Sequence, residues 1–197
     1  MPAKLLFQYA HLNFDNILMD RVAIRKYIAQ RGEVEQLDRV IWINKERSCG
    51  AGIRQVRNNE WWVNGHFPGN PILPGVLVVE TAAQFSSIIY QYKMEMIKDA
   101  TPKILAFSGI EKTRFRLTVS PGDELLYLIK EIRFSNRCII ADVQALKDFR
   151  NNSPGKMVYQ GRIVGMPVTN LHPNMKKTDE ALVVVQQNGL TKAEKWV

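Results

Sequence analysis

His66 and Glu80 stand fourteen residues apart in a stretch, Gly65 to Gln84, that carries no other ionisable group. An imidazole accepts a proton near neutral pH, and a carboxyl group among apolar neighbours is costly unless it is paired or kept protonated. Together the two can serve as a base and an acid. Gln84 follows Glu80 by one helical turn, close enough to orient its carboxyl group. The residues alone leave plainer roles open, since a loop histidine can be structural and a buried glutamate can cap a helix or bridge a dimer.

Two contrasting elements must position this pair. Residues 65–75 hold three prolines and three glycines, so no regular element runs through them, whereas residues 76–92 contain neither and are nearly all apolar up to Gln84. A rigid loop therefore delivers the chain into a buried helix that opens near Pro74 and Gly75 and runs from about Val76 to Ile97. The unpaired N–H groups and positive dipole end at Gly75 suit an incoming oxygen, and a glycine there lets a substrate approach closely.

The 197 residues, 46% of them apolar, suit one globular domain with a real core. A net charge of +8 and a pI near 9.6 point to an acidic partner. Nucleic acid ranks last among such partners, because the charge is dispersed and no recognition motif appears. Cys49 and Cys138 are too few and too far apart for a metal cluster or a disulfide framework, which leaves two reduced thiols in a cytoplasmic protein. The N-terminus lacks the apolar core of a signal peptide, and no run approaches the roughly 18 apolar residues of a membrane span.

In chain order, Phe14, Ile17, Leu18, Val22, Ile24, Tyr27 and Ile28 recur at helical spacing opposite Arg21, Arg25 and Lys26. This predicts an amphipathic helix over 14–28 with Asn13 or Asp15 near its cap. Gln30 to Gln36 reads as a connection. Val40 to Ile43 is β-prone, Gly50 and Gly52 mark a turn or bulge, and Ile53 to Arg57 alternates as a strand does. After the long helix, further strands are expected at 105–107, 113–119, 125–134, 138–146 and 157–164, separated by turn residues. Lys112, Arg114 and Arg116 alternate with Thr113, Phe115 and Leu117, so a strand there lines three positive charges along one face. That face is either simply solvated or a dock for an anionic partner. The result is an α+β arrangement, an antiparallel sheet against one long helix. A helical extension occupies 1–35, the main domain 36–168 and a polar tail 169–197.

His66-Phe67-Pro68-Gly69-Asn70-Pro71-Ile72-Leu73-Pro74-Gly75-Val76-Leu77, with Glu80 and Gln84, closely resembles the FabZ-type (3R)-hydroxyacyl acyl-carrier-protein dehydratases. The spacing of fourteen from His to Glu is that family's. Phe107 to Phe115 and Val119 to Asp123 resemble its strand and turn after the helix. Members usually carry a His-Arg-aromatic-Pro motif some eight residues before Asp-Arg-Val; here Asp38-Arg39-Val40 follows Gln30-Arg31-Gly32-Glu33, a departure that bears on substrate access or specificity more than on the chemistry.

The resemblance implies the hot-dog fold, a sheet wrapped around a central helix, and dehydration of 3-hydroxyacyl chains on acyl carrier protein in fatty acid or related synthesis. It implies no metal and no organic cofactor. His66 is then the base, Glu80 the acid, and Gly75 the N–H donor to the thioester oxygen, with Gln84 and Phe67 beside the substrate. The pair would meet across a dimer interface, in a homodimer or hexamer. Phe67, Leu77 and Phe85 are candidates to line the acyl tunnel, and Lys112, Arg114 and Arg116 to meet the acidic carrier. A thioester hydrolase of the same fold and a non-catalytic acyl-binding or assembly subunit are the alternatives.

Overall fold

Side chains of an extended strand point alternately to its two faces. Here both faces of the central strands are apolar, and each acquires its own cover. The structure, a computed structural model, describes residues 4–98, 104–150 and 154–168. Six strands form one sheet: β1 (Arg39–Ile43), β2 (Cys49–Gln55), β3 (Ile104–Phe115), β4 (Glu124–Ser135), β5 (Cys138–Lys147) and β6 (Lys156–Val168), in the order β1-β2-β4-β5-β6-β3. Neighbours from β1 to β6 pair antiparallel. β3 runs against β6, since Ser108 Oγ meets Val164 O while Arg116 N–H meets Val158 O.

The long helix α2 (Gly75–Met94) crosses one face, and every residue from Thr81 to Tyr90 is buried. Val78, Ala82, Phe85, Ile88 and Ile89 pack there with Leu125, Tyr127, Ile129, Ala141 and Val143. The alternate residues Ile41, Ala51, Ile53, Leu126, Leu128 and Leu146 face the other way. Tyr9, Leu12, Leu5, Leu6, Phe7 and Phe14 cover them, with Phe14 edge-on to Phe149 at 5.0 Å. A sheet wrapped about one central helix is the hot-dog fold. Among the described residues no helix is long and apolar enough to cross a membrane.

The N-terminal segment departs from the helix expected over 14–28. Only α1 (Arg21–Ile24) is helical, and its cap is Asp20, whose Oδ1 accepts the Ala23 N–H at 2.8 Å, rather than Asn13 or Asp15. The apolar residues that looked like one stripe serve opposite faces of the sheet: Phe14 goes to the outer cluster, whereas Ile24 and Ile28 join the helix side. A straight helix cannot reach both. Between them the chain extends and lends Leu18 and Met19 N–H groups to Val40 O, forming a bridge on the β1 edge.

Two further expectations change. Residues 116–119 leave the strand after Phe115, and 105–107 and 113–115 belong to the single long β3. Of the turn or bulge expected at Gly50 and Gly52, no turn forms: both lie inside β2, and an irregularity in the β1–β2 register between Val40 and Trp42 falls opposite Gly52 and Ala51. The two glycines are small because other groups press close: a Cβ on Gly50 would stand 3.1 Å from Phe85 Cζ and 3.2 Å from Ile89 Cδ1. The tail expected over 169–197 lies outside the described residues.

Gly50→Val should therefore destabilise the fold by about 1–3 kcal/mol through overpacking under α2. Urea unfolding measures this, and an unchanged midpoint would show that the helix does not rest on β2 at that point.

Candidate active site

The His66 loop is tied at its start. The Trp62 indole N–H donates to Glu60 Oε2 at 2.8 Å, the oxygen that also meets Arg54 Nη2 at 2.8 Å, and Glu60 Oε1 accepts the Arg57 N–H at 2.7 Å. From this anchor, the N–H groups of Gly65 and His66 turn back onto Trp62 O at 3.1 and 2.9 Å. The loop then closes on itself. Ile72 N–H donates to His66 O at 2.7 Å, Phe67 and Asn70 exchange backbone hydrogen bonds, and Gly69 takes the left-handed φ of +74° that the turn requires. The Phe67 ring, largely exposed, stacks on the imidazole with centroids 4.2 Å apart.

His66 Nδ1 lies 2.7 Å from Ile72 O. A carbonyl only accepts, so Nδ1 carries the hydrogen and Nε2 is the bare nitrogen of the neutral ring. The loop thus fixes both the orientation of the imidazole and the nitrogen that can take a proton.

Leu73 N–H, bonded to Val119 O at 2.7 Å, leads the chain into α2. Pro74 caps that helix without a side-chain hydrogen bond. Leu77 N–H folds back to Pro74 O, and no acceptor among the described residues meets the N–H of Gly75 or Val76. The Phe115 ring explains the glycine as well as substrate approach does, because a Cβ on Gly75 would stand 3.1 Å from its edge.

One turn further on, half-buried Glu80 points away from the apolar core. Its Oε1 accepts from Gln84 Nε2 and from Gln30 Nε2, each at 2.9 Å. Gln84 is wholly buried, and its own orientation is unambiguous: Oε1 accepts the Gln36 N–H at 2.9 Å, and Nε2 also donates to Val34 O at 2.6 Å. No hydrogen bond or ion pair joins His66 to Glu80 within the chain. Phe85, a tunnel candidate from sequence, is instead core packed on β2, while Leu77 is half-buried.

Lys112 has φ +52°, which breaks the alternation of β3. Lys112, Arg116 and Lys4 line one depression together with Asp142, Gln144 and Gly161, with Arg116 Nη2 on Gln160 Oε1 at 2.9 Å; Arg114 is not among its lining residues.

The family model for the FabA-like domain matches residues 28–162. The chain belongs to this family. Its FabA-like segment is 36% identical over 116 residues to the 3-hydroxyacyl acyl-carrier-protein dehydratase FabZ of Coxiella burnetii, covering 59% of this chain and 79% of that one. Against FabZ of a Thermoanaerobacter species the identity is 40% over 108 residues, 55% and 72% of the two chains. A bifunctional LpxC/FabZ enzyme of Chlorobaculum tepidum is 37% identical over 123 residues, but the chain spans 26% of its length. In fold, it superposes on the dehydratase heterocomplex ApeI:P of Xenorhabdus doucetiae with a TM-score of 0.60 at 12% identity, covering 81% of this chain and 96% of that one.

Against that FabZ-type pattern, the residue missed in the sequence is Gln30. Its place eight residues ahead of Asp38 marks it as the substitute for the family's histidine, yet the connection 30–36 gave no sign that it folds onto α2. It touches Glu80 itself, so the altered segment reaches the Glu80 carboxyl group directly.

The ring tautomer is open to measurement. The nitrogen-15 spectrum of neutral His66 should show hydrogen on Nδ1 and none on Nε2. A bare Nδ1 would break the assignment.

Proposed function

We propose that this FabZ-type dehydratase removes water from (3R)-3-hydroxyacyl chains held as thioesters on acyl carrier protein, giving the trans-2-enoyl thioester. The observation that carries the reading is the His66 ring itself, locked by Ile72 O with Nε2 free to act as a base. Nε2 takes the proton from C2, and charge develops on the thioester oxygen, where the Gly75 N–H stabilises it at the open end of α2. Glu80 gives its proton to the C3 hydroxyl, which leaves as water while the C2–C3 double bond forms. One proton is taken and one given, so the site resets by returning a proton from imidazolium to carboxylate. No redox step and no covalent intermediate is needed.

His66 of one protomer works with Glu80 of its partner. Edge strand β3 supports such an assembly, since Phe107, Ile110 and Phe115 stand exposed along it and one of its edges pairs with no other strand among the described residues. Lys112 and Arg116, with Lys4, and Arg114 nearby, offer positive charge to an acidic carrier.

Enoyl-thioester absorbance, read after mixing with 3-hydroxyacyl carrier substrates, tests the chemistry. His66→Ala and Glu80→Gln should each lower turnover about 10²–10⁴-fold. Mixed after unfolding and refolding together, the two inactive chains should recover about a quarter of wild-type activity, because half the dimers are mixed and each of those holds one intact site. No recovery would sink the shared site, and no enoyl product from folded wild type would sink the dehydratase.

A further inference from the structure

Glu80 is held by two neutral amides that reach it from different elements. Gln84 comes from the next turn of α2, and Gln30 from the segment that follows α1. That segment is braced from several directions. Arg31 Nη1 donates to the carbonyls of Ile28 and Gln30 at 2.8 and 2.7 Å, Arg25 grips Glu35 with two nitrogens at 2.6 and 2.8 Å, and Gln36 Nε2 donates to Glu33 O at 2.8 Å. Gln30 therefore reaches Glu80 from a fixed backbone and not from a loose loop.

Gln84 cannot replace it. Both of its amide hydrogens are engaged, on Val34 O and Glu80 Oε1, and its oxygen holds the Gln36 N–H. With one donor a carboxyl group still turns about its Cγ–Cδ bond, whereas two donors on the same oxygen fix its plane. They also reserve Oε2 as the oxygen on which a transferable proton sits, since Oε1 already accepts two hydrogens.

We propose that Gln30 is a positioning residue for the dehydration: it holds Oε1 of Glu80 so that the proton is delivered from Oε2. This rests on Glu80 being the acid. The family's usual histidine at this place could donate the same bond but would also titrate; the glutamine supplies the donor without the charge.

Three chains test it: wild type, Gln30→Met, which keeps length and packing but removes the donor, and Gln30→His. Turnover, KM and thermal midpoint are followed between pH 5.5 and 9. Gln30→Met should lose about ten- to hundredfold in kcat through misplacement of the acid, with KM and thermal midpoint close to wild type. Gln30→His should recover most of the wild-type kcat at alkaline pH. It should lose it again as pH falls through the imidazole range near about 6.5, because an imidazolium beside Glu80 favours the carboxylate, which has no proton to give. Wild type should lack that extra limb.

Wild-type kcat in Gln30→Met would overturn the inference alone. So would a loss in Gln30→Met that follows its thermal midpoint, or one that histidine restores at no pH. A wild type that forms no enoyl product would overturn the inference together with the dehydratase reading.

Discussion

The site depends on one buried amide. Gln84 sits with no solvent exposure in the middle of an apolar helix, where an unpaired polar group costs about 1–3 kcal/mol. Its cost is met by backbone that comes from far away in sequence, the Gln36 N–H and the Val34 carbonyl. Those two contacts fasten the 32–36 segment to α2, and with it Gln30. They also leave Gln84 a single direction in which to spend its last hydrogen, toward Glu80. Satisfying a core amide and aiming the Glu80 carboxyl group are thus one arrangement.

The histidine is governed by the same logic on the other side of the helix start. A loop rich in proline and glycine has few ways to satisfy its polar backbone groups, and this one does so by pairing its two ends, His66 with Ile72, through backbone and ring together. Ring tautomer and loop closure are consequently inseparable. Each half of the site is held by its own hydrogen bonds, and none joins His66 to Glu80 within the chain.

Much of this was legible in the sequence. The loop, the apolar helix and the Glu80–Gln84 spacing identify themselves, because proline, glycine and helical period are local signals. The strands β4, β5 and β6 were also visible, since long β-prone runs with turns between them need no tertiary context. What was hidden depends on distant partners. The stripe at 14–28 has the right spacing for a helix, and nothing local says that Phe14 and Ile24 end on opposite faces of a sheet. Gly50 and Gly52 read as turn or bulge residues because the groups that press on them lie elsewhere in the chain. Gln30 was noticed only for what it is not, a histidine; its bond to Glu80 spans fifty residues.

The outer arm of residues 4–14 separates two units that are usually taken as one. The family's homology begins at residue 28, and every group of the site lies after it. The packing that covers the sheet begins earlier. Gln144, almost fully buried on β5, is satisfied by Leu6 N–H and Lys4 O, and the Tyr9 hydroxyl donates to Pro154 O. Leu126, Leu128 and Ile53 are roofed by the same arm. A chain trimmed to its homologous region would keep Gln30, His66, Glu80 and Gln84 while stripping one side of the sheet of its cover. The stretch that the family model matches and the stretch that covers the sheet are, in this chain, different lengths of polypeptide.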